Sequence, residues 1–466
     1  MRCTRRTVPR REGWYYTGSL LHDNRHRHVS EEPTTYIQRT VIPRSEHAIS
    51  RANISEKALK VLYRLHGAGY AAFLVGGGVR DLSLGREPKD FDVATDARPE
   101  EVQALFRNCR LIGRRFRLAH VHFGREIIEV ATFRALHGDG DGDDTDERLV
   151  EDGRILRDNV YGSIEEDALR RDCTVNALYY NIADFSVVDF VGGMEDLKQG
   201  LMRLIGDPEV RYREDPVRML RVVRFAEKLG FRIDPATRDP IPEMAGELDH
   251  IPPARLFEEV LKLFMSGHGA ESFERLRQLG LFGHLFPDTE AALQADPEGP
   301  GLAVIARALD STDRRVMEGR PVTPAFLFAA LLWPAVAARL REQGEEDAEP
   351  DLVALQEAAN EGVERQLGHV AIPKRFSLPM REIWLLQPRL LRRQGKRPLR
   401  TLAHPRFRAA YDFLLVRSEA GDAEPELAQW WTEFQDAAPE GRDGMLEAAP
   451  RKRRRRRRRS RAASGE

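Results

Sequence analysis

Two aspartates separated by one residue follow three glycines in the segment "LVGGGVRDLSLGREPKDFDVATD" (74–96). Gly76, Gly77 and Gly78 allow the backbone to approach a bulky anion such as a triphosphate, because glycine has no Cβ. Alternate side chains of a strand share one face, so a strand over "KDFDVAT" places Asp90 and Asp92 side by side. Two adjacent carboxylates favour a hard divalent cation such as Mg²⁺ between them. The combination predicts nucleotidyl transfer, in which metal ions activate a hydroxyl and hold the leaving pyrophosphate.

Arg80 follows the glycines closely, and its guanidinium is expected to add positive charge beside the same phosphates. The simpler interpretation of the D-x-D pair is an exposed strand carrying two unrelated aspartates. The glycines at this spacing favour the nucleotide site over that interpretation.

The elements that position these residues follow from periodicity. A helix is predicted from Ser55 to Leu65, and a strand over 71–75 precedes the glycines. A second helix opens at Pro99 and runs through Phe106, and "RLAHVHFGREIIEVATF" (117–133) predicts two strands around the turn at 124–125. Strands mixed with helices over about a hundred residues indicate an α/β head.

Ser163 and Glu166 form a capping box, which predicts the start of another helix. Its apolar face would carry Leu169, Cys173, Ala177 and Tyr180. Beyond residue 200 the pattern is almost entirely helical, with one stripe at Leu256, Val260, Leu263 and Phe264 and another at Phe273, Leu276 and Leu279.

The predicted fold class is therefore α+β, a head with a mixed sheet followed by an all-α neck and body. The predicted domains are a disordered basic extension (1–40), a head (41–200), a helical neck (201–265), a helical body (266–435) and a disordered Arg-rich tail (436–466).

Composition excludes several classes of protein. The 73 basic and 74 acidic residues give a net charge of −1, but every residue of 451–461 except Ser460 is basic, so a cationic tail follows a more acidic body. Cys3, Cys109 and Cys173 are too few and too scattered for a disulfide framework or a zinc site, which favours the cytoplasm. The apolar run 324–338 is shorter than a membrane span and predicts a buried helix or helix pair. The acidic stretch 137–147 departs from the calcium-loop pattern and is interpreted as a solvated loop.

Three further blocks occur in order along the chain: "IIEVATFR" (127–134), "RRDCTVNALYY" (170–180) and "EDPVRMLRVVRFAEKLG" (214–230). With the opening motif, they make the sequence resemble the polymerase β-like nucleotidyltransferase superfamily over roughly residues 41–435. The similarity is to its bacterial class II branch, which contains tRNA CCA-adding enzymes and poly(A) polymerases. The resemblance implies a catalytic head, a neck that binds nucleotide and RNA, and a body that binds RNA.

The resemblance implies roles for the acidic residues. Asp90 and Asp92 would be the catalytic pair that binds metal. Asp172 would be a third active-site carboxylate, either helping the metals or fixing the ribose hydroxyls together with Arg171. Glu129 competes for the third position, and the sequence leaves the choice open.

The third block concerns the choice of nucleotide. Asp215, Arg218, Arg221 and Arg224 recur every three residues along one helix face. In the resembling family, the Asp and Arg of E-D-x-x-R mimic the edge of a base. A carboxylate acceptor beside a guanidinium donor matches adenine and cytosine and rejects guanine and uracil. The alternative is a solvated basic helix face.

The stretch "LIGRRFRLAHV" (111–121) resembles a signature of bacterial poly(A) polymerases that CCA-adding enzymes lack. It would place Arg114, Arg115 and Arg117 near the site as RNA contacts, whereas His120 is interpreted as an ordinary strand histidine. The tail, including Arg453, Arg454, Arg455 and Arg456, would bind phosphates with little sequence preference, which suits many RNA 3′ ends. The basic stretch "LLRRQGKRP" (390–398) is either an RNA path or plain surface.

The expected activity is thus polyadenylation of RNA 3′ ends, with ATP as substrate and Mg²⁺, or alternatively Mn²⁺, as cofactor. A CCA-adding enzyme that uses CTP and ATP is the nearer alternative, and a non-catalytic RNA-binding adaptor is the remoter one. The resemblance also implies RNA-decay nucleases or an RNA chaperone as partners. A cytoplasmic monomer without a membrane span is expected.

Overall fold

The computed structural model describes residues 39–113, 117–135, 148–151, 154–158, 160–342 and 352–446. Arg114, Arg115, the acidic stretch 137–147, most of the predicted N-terminal extension and the Arg-rich run 451–461 lie outside the described residues.

The strands of the described residues are β1 (Thr40–Ile42), β2 (Ala72–Val75), β3 (Asp92–Thr95), β4 (Cys109–Ile112), β5 (Leu118–Phe123), β6 (Glu126–Thr132), β7 (Arg148–Glu151), β8 (Arg154–Asp158), β9 (Leu178–Asn181), β10 (Val187–Asp189), β11 (Leu201–Met202) and β12 (Arg232–Ile233).

The α-helices of the same residues are α1 (Glu56–Gly67), α2 (Gly77–Ser83), α3 (Pro99–Leu105), α4 (Ile164–Leu169), α5 (Gly193–Gln199), α6 (Pro208–Glu214), α7 (Val217–Leu229), α8 (Pro235–Arg238), α9 (Ile241–Met244), α10 (Pro253–Phe264), α11 (Gly269–Gln278), α12 (Leu281–Leu285), α13 (Pro287–Ala295), α14 (Gly301–Met317), α15 (Pro324–Glu342), α16 (Leu352–Gln366), α17 (Lys374–Leu390), α18 (Arg397–Leu402), α19 (Phe407–Glu419), α20 (Pro425–Asp436) and α21 (Pro439–Met445).

Eight of the described strands form one mixed sheet in the order β1-β10-β9-β2-β3-β6-β5-β4. Within it β3 and β6 are parallel, and the other neighbouring strands are antiparallel. Val93 and Val130 are aligned across that parallel pair and face a core shared with Val61 and Leu65 of α1 and Val102 of α3. Helices therefore cover one face of the sheet. The other face carries a smaller cluster that includes Val75, Phe133, Tyr179 and Phe190.

Several predicted elements are confirmed. Ser55 caps α1 by accepting from the backbone N–H of Lys57, and α3 begins at Pro99. β5 and β6 meet at the turn over 124–125. The apolar stripes of α10 and α11 are buried in the main core. The predicted α+β class is confirmed in the described residues, where nearly everything after residue 208 is helical.

The helix predicted after Ser163 is wrong beyond its first turns. The capping box is present, but α4 ends at Leu169. Cys173 then forms a β-bridge with Leu204, and Leu178–Asn181 is a strand between β2 and β10. Long-range backbone pairing therefore overrides the helical spacing of the apolar residues.

Helix α15 is long and apolar enough to meet the length and composition test for a membrane span. Its apolar residues from Leu327 to Val336 are buried against other helices of the body, and Pro334 lies inside it. The interpretation of this run as a buried helix is confirmed.

Gly193 begins α5 and packs against Thr174 of the "RRDCTVNALYY" block. A Cβ on Gly193 would lie 2.2 Å from the carbonyl oxygen of Thr174, a backbone atom that cannot move aside easily. We expect Gly193→Ala to lower the free energy of unfolding by about 1–3 kcal/mol through overpacking. Denaturant unfolding measures this change. Gly67→Ala is the matched control, because no atom lies within 4 Å of its Cβ, and a loss in Gly67→Ala as large as that in Gly193→Ala would contradict the explanation.

Candidate active site

One row of aligned residues crosses the sheet at the end where β3 begins. Tyr179 of β9 is aligned with Val75 of β2, and Val75 with Asp92 of β3. Asp92 is aligned with Glu129 of β6, and Glu129 with His120 of β5. Residues aligned on neighbouring strands share a face, so two carboxylates and a histidine meet on one side of the sheet. His120 Nε2 lies 3.3 Å from Glu129 Oε2.

The glycine turn lies against Asp90. β3 starts at Asp92, so Asp90 precedes the strand instead of belonging to it, and it is exposed. A Cβ on Gly78 would lie 3.4 Å from the Asp90 carbonyl oxygen, and Gly76 has a positive φ of 71°. The second position favours glycine, because its positive φ would strain a side chain, whereas a Cβ at the first would make an ordinary contact. The structure thus brings the predicted glycine turn and aspartate pair together.

The electrostatics of Asp92 indicate uncompensated negative charge. The pKa of Asp92 is raised to about 6, first by burial and then by the neighbouring Glu129 and Asp90, against the lowering effect of Arg171. Within the described residues, no cluster of three or more His, Cys, Asp or Glu side chains is close enough to hold a metal ion alone. The carboxylate set nevertheless fits a hard divalent cation that takes its remaining ligands from water and phosphate.

Arg171 connects this acidic edge to the glycine turn. Its Nε donates to the Tyr179 hydroxyl at 2.9 Å, and its Nη2 donates to Asp167 Oδ2 at 3.0 Å. Its Nη1 would be 3.5 Å from a Cβ on Gly76. The Asp167 and Tyr179 contacts fix the guanidinium beside the space that a nucleotide phosphate would enter. Asp167 and Tyr179 were not predicted as site residues, although Tyr179 lies in the "RRDCTVNALYY" block.

Asp172 lies in a different cluster from Asp92. Its Oδ1 accepts from Arg218 Nε at 3.0 Å, and its Oδ2 lies 2.7 Å from Arg221 Nη2. Burial alone would raise the pKa of Asp172, but Arg221 and Arg218 lower it below its ordinary value. Asp172, for which two roles were predicted, therefore pairs with arginines of α7, whereas Glu129 is aligned with Asp92.

The predicted base-reading residues are partly occupied by protein contacts. Besides Asp172, Arg218 donates from Nη1 to the Arg211 carbonyl and to Glu214, both at 2.7 Å. Asp215 Oδ2 accepts from Arg255 at 2.7 Å. Arg255 was not predicted as part of the site, because nothing in its local sequence links it to Asp215, 40 residues earlier.

Four buried polar atoms of this region have no hydrogen-bond partner within the described part of the chain. They are Asp215 Oδ1, Arg211 Nε, Arg221 Nε and Arg224 Nε. Buried polar groups are usually paired, so these atoms leave hydrogen-bonding capacity unused. The guanidinium of Arg224 also lies 4.2 Å from the centre of the Phe225 ring.

Arg80 has a different environment from the one predicted. It is 2% exposed, and its Nε and Nη2 donate to Asp81 at 2.8 and 2.6 Å. Its Nη1 donates to Asn176 Oδ1 at 2.7 Å. The guanidinium therefore ties the glycine turn to the chain after Asp172, and buried protein acceptors occupy all three of its nitrogens.

Of the three arginines predicted beside the site as RNA contacts, Arg117 is described. Its Nη1 donates to Glu100 at 2.6 Å, and about half of each side chain is exposed. The RNA role of Arg117 stays a prediction.

Known protein families match three segments of the chain. Their descriptions are poly(A) polymerase head domain for residues 72–203, probable RNA and SrmB binding site of polymerase A for 230–293, and polymerase A arginine-rich C-terminus for 347–463.

Among curated proteins, the poly(A) polymerase I of Escherichia coli O157:H7 is 53% identical over 431 residues, covering 91% of this chain and 93% of the relative. The Haemophilus influenzae poly(A) polymerase I is 46% identical over 90% of this chain and 93% of its own. The Bacillus subtilis CCA-adding enzyme is 37% identical over 49% of this chain and 55% of its own. Among solved structures, the Bacillus stearothermophilus CCA-adding enzyme in complex with CTP aligns with a TM-score of 0.54 at 26% identity and covers 81% of each chain.

The network around Asp167 leads to a pH-dependent prediction. Burial alone would raise the pKa of Asp167, but Arg171 and Arg170 and the Tyr179 hydroxyl lower it from 3.8 to about 2. A carboxyl with a lowered pKa stabilises the fold above its unfolded-state pKa, and this stabilisation is lost as the pH falls toward its folded-state pKa. We expect Asp167→Asn to cost about 2 kcal/mol at pH 7 and about half of that near pH 3.

Denaturant unfolding at the two pH values measures the difference. The control is Asp239→Asn at an exposed ion pair, for which little change is expected at either pH. A cost for Asp167→Asn that stays constant between pH 7 and pH 3 would contradict the electrostatic explanation.

Proposed function

Because the chain belongs to the bacterial poly(A) polymerase I family, we propose that it extends RNA 3′ ends without a template, transferring AMP from ATP to the terminal 3′-hydroxyl and releasing pyrophosphate. The observation that carries the proposal is the 53% identity over 91% of the chain to enzymes of that name. The glycine turn against Asp90, and Asp92 beside Glu129, supply the chemistry that such a transfer needs.

Asp90 and Asp92 would hold the divalent metal ions, Mg²⁺ or Mn²⁺, with Glu129 as the third carboxylate. Such ions, when bound, activate the attacking hydroxyl and stabilise the charge of the leaving pyrophosphate. Glu129 is favoured over Asp172 for this role, because it is aligned with Asp92 whereas Asp172 pairs with two arginines. Cation binding would relieve the like-charge repulsion that raises the pKa of Asp92.

The nucleotide would lie between the glycine turn and α7. Gly76 and Gly77 would admit the triphosphate, and Arg171, fixed by Asp167 and Tyr179, would contact its phosphates or ribose. Asp215 Oδ1 can accept from the exocyclic amino group of adenine, and the unpartnered nitrogens of Arg221 and Arg224 can donate to ligand acceptors.

Arg218 and Asp172 would support this nucleotide pocket through their own ion pair. Arg218 is fixed by Asp172, Glu214 and the Arg211 carbonyl, so its main effect would be to orient α7. Arg80 would likewise hold the glycine turn through Asp81 and Asn176. Both are positioning residues in this proposal.

RNA 3′ ends are the proposed acceptor, supported by the match to an RNA-binding segment at 230–293. A cytoplasmic location and a monomeric state stay predictions of the sequence, as do RNA-decay nucleases or an RNA chaperone as partners and the RNA-binding role of the Arg-rich tail.

One pair of substitutions distinguishes the proposed roles of Glu129 and Asp172. We expect Glu129→Gln to lower kcat on the order of 10- to 100-fold and to raise the metal concentration needed for half-maximal rate, because it removes a ligand of the metal site. Asp172→Asn is expected to raise the KM for ATP about tenfold, with the metal requirement unchanged, because Arg218 and Arg221 lose their orientation.

Steady-state kinetics over a range of Mg²⁺ and ATP concentrations gives both quantities. Asp90→Asn is the reference for complete loss of transfer. A shifted metal requirement in Asp172→Asn, with none in Glu129→Gln, would reverse the assignment.

The proposed reaction is tested with the unmodified protein, Mg²⁺ and ATP alone or CTP alone. The acceptors are a labelled generic RNA and a tRNA that lacks its CCA end. We expect a long ladder with ATP on the generic RNA and little extension with CTP. Addition of one or two cytidines to the tRNA alone would indicate CCA addition, the activity in the name of relatives that match about half of this chain. No extension of either RNA would favour the adaptor.

A further inference from the structure

Four arginines converge on a surface pocket at the junction of α17 and α18. The pocket has a volume of about 210 Å³ and is lined by Arg389, Arg392, Arg397, Arg400, Thr401 and His404. We call these four guanidinium-bearing residues the arginine pocket. All four are exposed, so a ligand in solvent can reach them.

The arginine pocket lacks compensating negative charge. In the part of the chain that the structure describes, none of its four guanidiniums has a carboxylate oxygen within 4.0 Å. The neighbouring arginines differ, since Arg406 is 2.9 Å from Glu382 and Arg408 is 2.9 Å from Asp412. Gathered like charges repel each other unless an anion binds between them.

Helix electrostatics explains only part of this arrangement. Arg389 is in the last turn of α17, where a cation interacts favourably with the helix dipole. Arg397 is instead the first residue of α18, and Lys396 precedes it, at an end where positive charge is unfavourable. Arg400 lies in the last turn of α18, where the dipole again favours a cation, so the helix dipole leaves Arg397 unexplained.

The helices that carry the arginine pocket are firmly packed. Leu386 and Leu390 of α17 belong to an apolar cluster with Trp431 and Phe434, separate from the core that contains the sheet. The Trp431 indole donates to the Leu390 carbonyl at 2.8 Å, which satisfies an acceptor at the end of α17. The pocket is thus preorganised, and binding there need not order the backbone.

We propose that the arginine pocket binds backbone phosphates of the RNA upstream of its 3′ end, as a docking site separate from the transfer site. This inference rests on the proposed function, which makes RNA the substrate. Guanidiniums bind phosphate oxygens through paired N–H donors, and contacts to phosphate carry no base preference. Such a site suits acceptors of unrelated sequence. It acts on RNA affinity, whereas the chemistry occurs at Asp90 and Asp92.

The test compares two double variants of the full chain that remove the same charge. Arg392→Ala with Arg400→Ala removes half of the arginine pocket, and Arg406→Ala with Arg408→Ala removes two arginines that are already paired with acids. All four arginines are exposed, so folding is expected to persist, and thermal unfolding checks it. Affinities are measured over a range of salt concentrations for RNAs of about 6 and about 40 nucleotides.

For the pocket variant we expect binding of the longer RNA to weaken about tenfold and its salt slope to fall by about 1 to 2. Its affinity for the short RNA and its rate of AMP addition to that RNA should equal those of the unmodified protein. The paired-arginine variant should bind both RNAs normally.

Equal binding of the longer RNA by the two variants would overturn the proposal and favour plain surface or a protein partner at the arginine pocket. Equal weakening on both RNAs would also overturn it, because a separate upstream site cannot affect an RNA too short to reach it. Failure of the unmodified protein to extend either RNA would instead contradict the proposed function, so the two failures are distinguishable.

Discussion

The buried carboxylate of Asp172, held between Arg218 and Arg221, joins the chain between α4 and β9 to helix α7. Several arginines lie close together here, and burial together with the charges of Arg221 and Arg80 lowers the pKa of Arg224. Such a cluster is stable only with embedded acids, and removal of one partner of a buried pair typically costs about 3–5 kcal/mol. Asp172 therefore sets how α7 meets the head.

The ion pairs of Asp172 separate two regions of opposite charge. The start of β3 carries carboxylates, and burial together with the neighbouring Glu129 and Asp90 raises the pKa of Asp92, whereas α7 carries Arg218, Arg221 and Arg224. In the proposed site, a nucleoside triphosphate with its metal ions would complement both regions, because the cations would meet the carboxylates and the nucleotide would meet the arginines. Arg171 lies between them, fixed by Asp167 and Tyr179. In this account, substrate and metal ions compensate charges that the protein leaves unbalanced.

The parts of the site that depend on local sequence were predictable. The glycines indicated Asp90 and Asp92, and periodicity identified the buried stripes of α10 and α11. Strand alternation was wrong for Asp90, because β3 starts at Asp92. The interpretation of Cys173 as part of a helix face was wrong, because its backbone pairs with Leu204, 31 residues later in the chain.

Long-range side-chain pairing accounts for the other differences. Asp172 and Arg218 are 46 residues apart, and the partners of Arg80 and Asp215 include Asn176 and Arg255. Periodicity reports which face of an element is apolar, but it does not report which distant charge that face meets. The different surroundings of Asp172 and Glu129 are therefore visible only in the three-dimensional structure, where the sheet register aligns Glu129 with Asp92.

A crystal structure of the protein with a non-hydrolysable ATP analogue and Mn²⁺ tests this account most directly, because the anomalous signal of manganese locates the metal independently of the protein. We predict manganese bound by Asp90 and Asp92 beside Glu129, phosphates at the glycine turn, and Asp172 still paired with Arg218 and Arg221. Manganese bound by Asp172, with those ion pairs broken, would contradict the account.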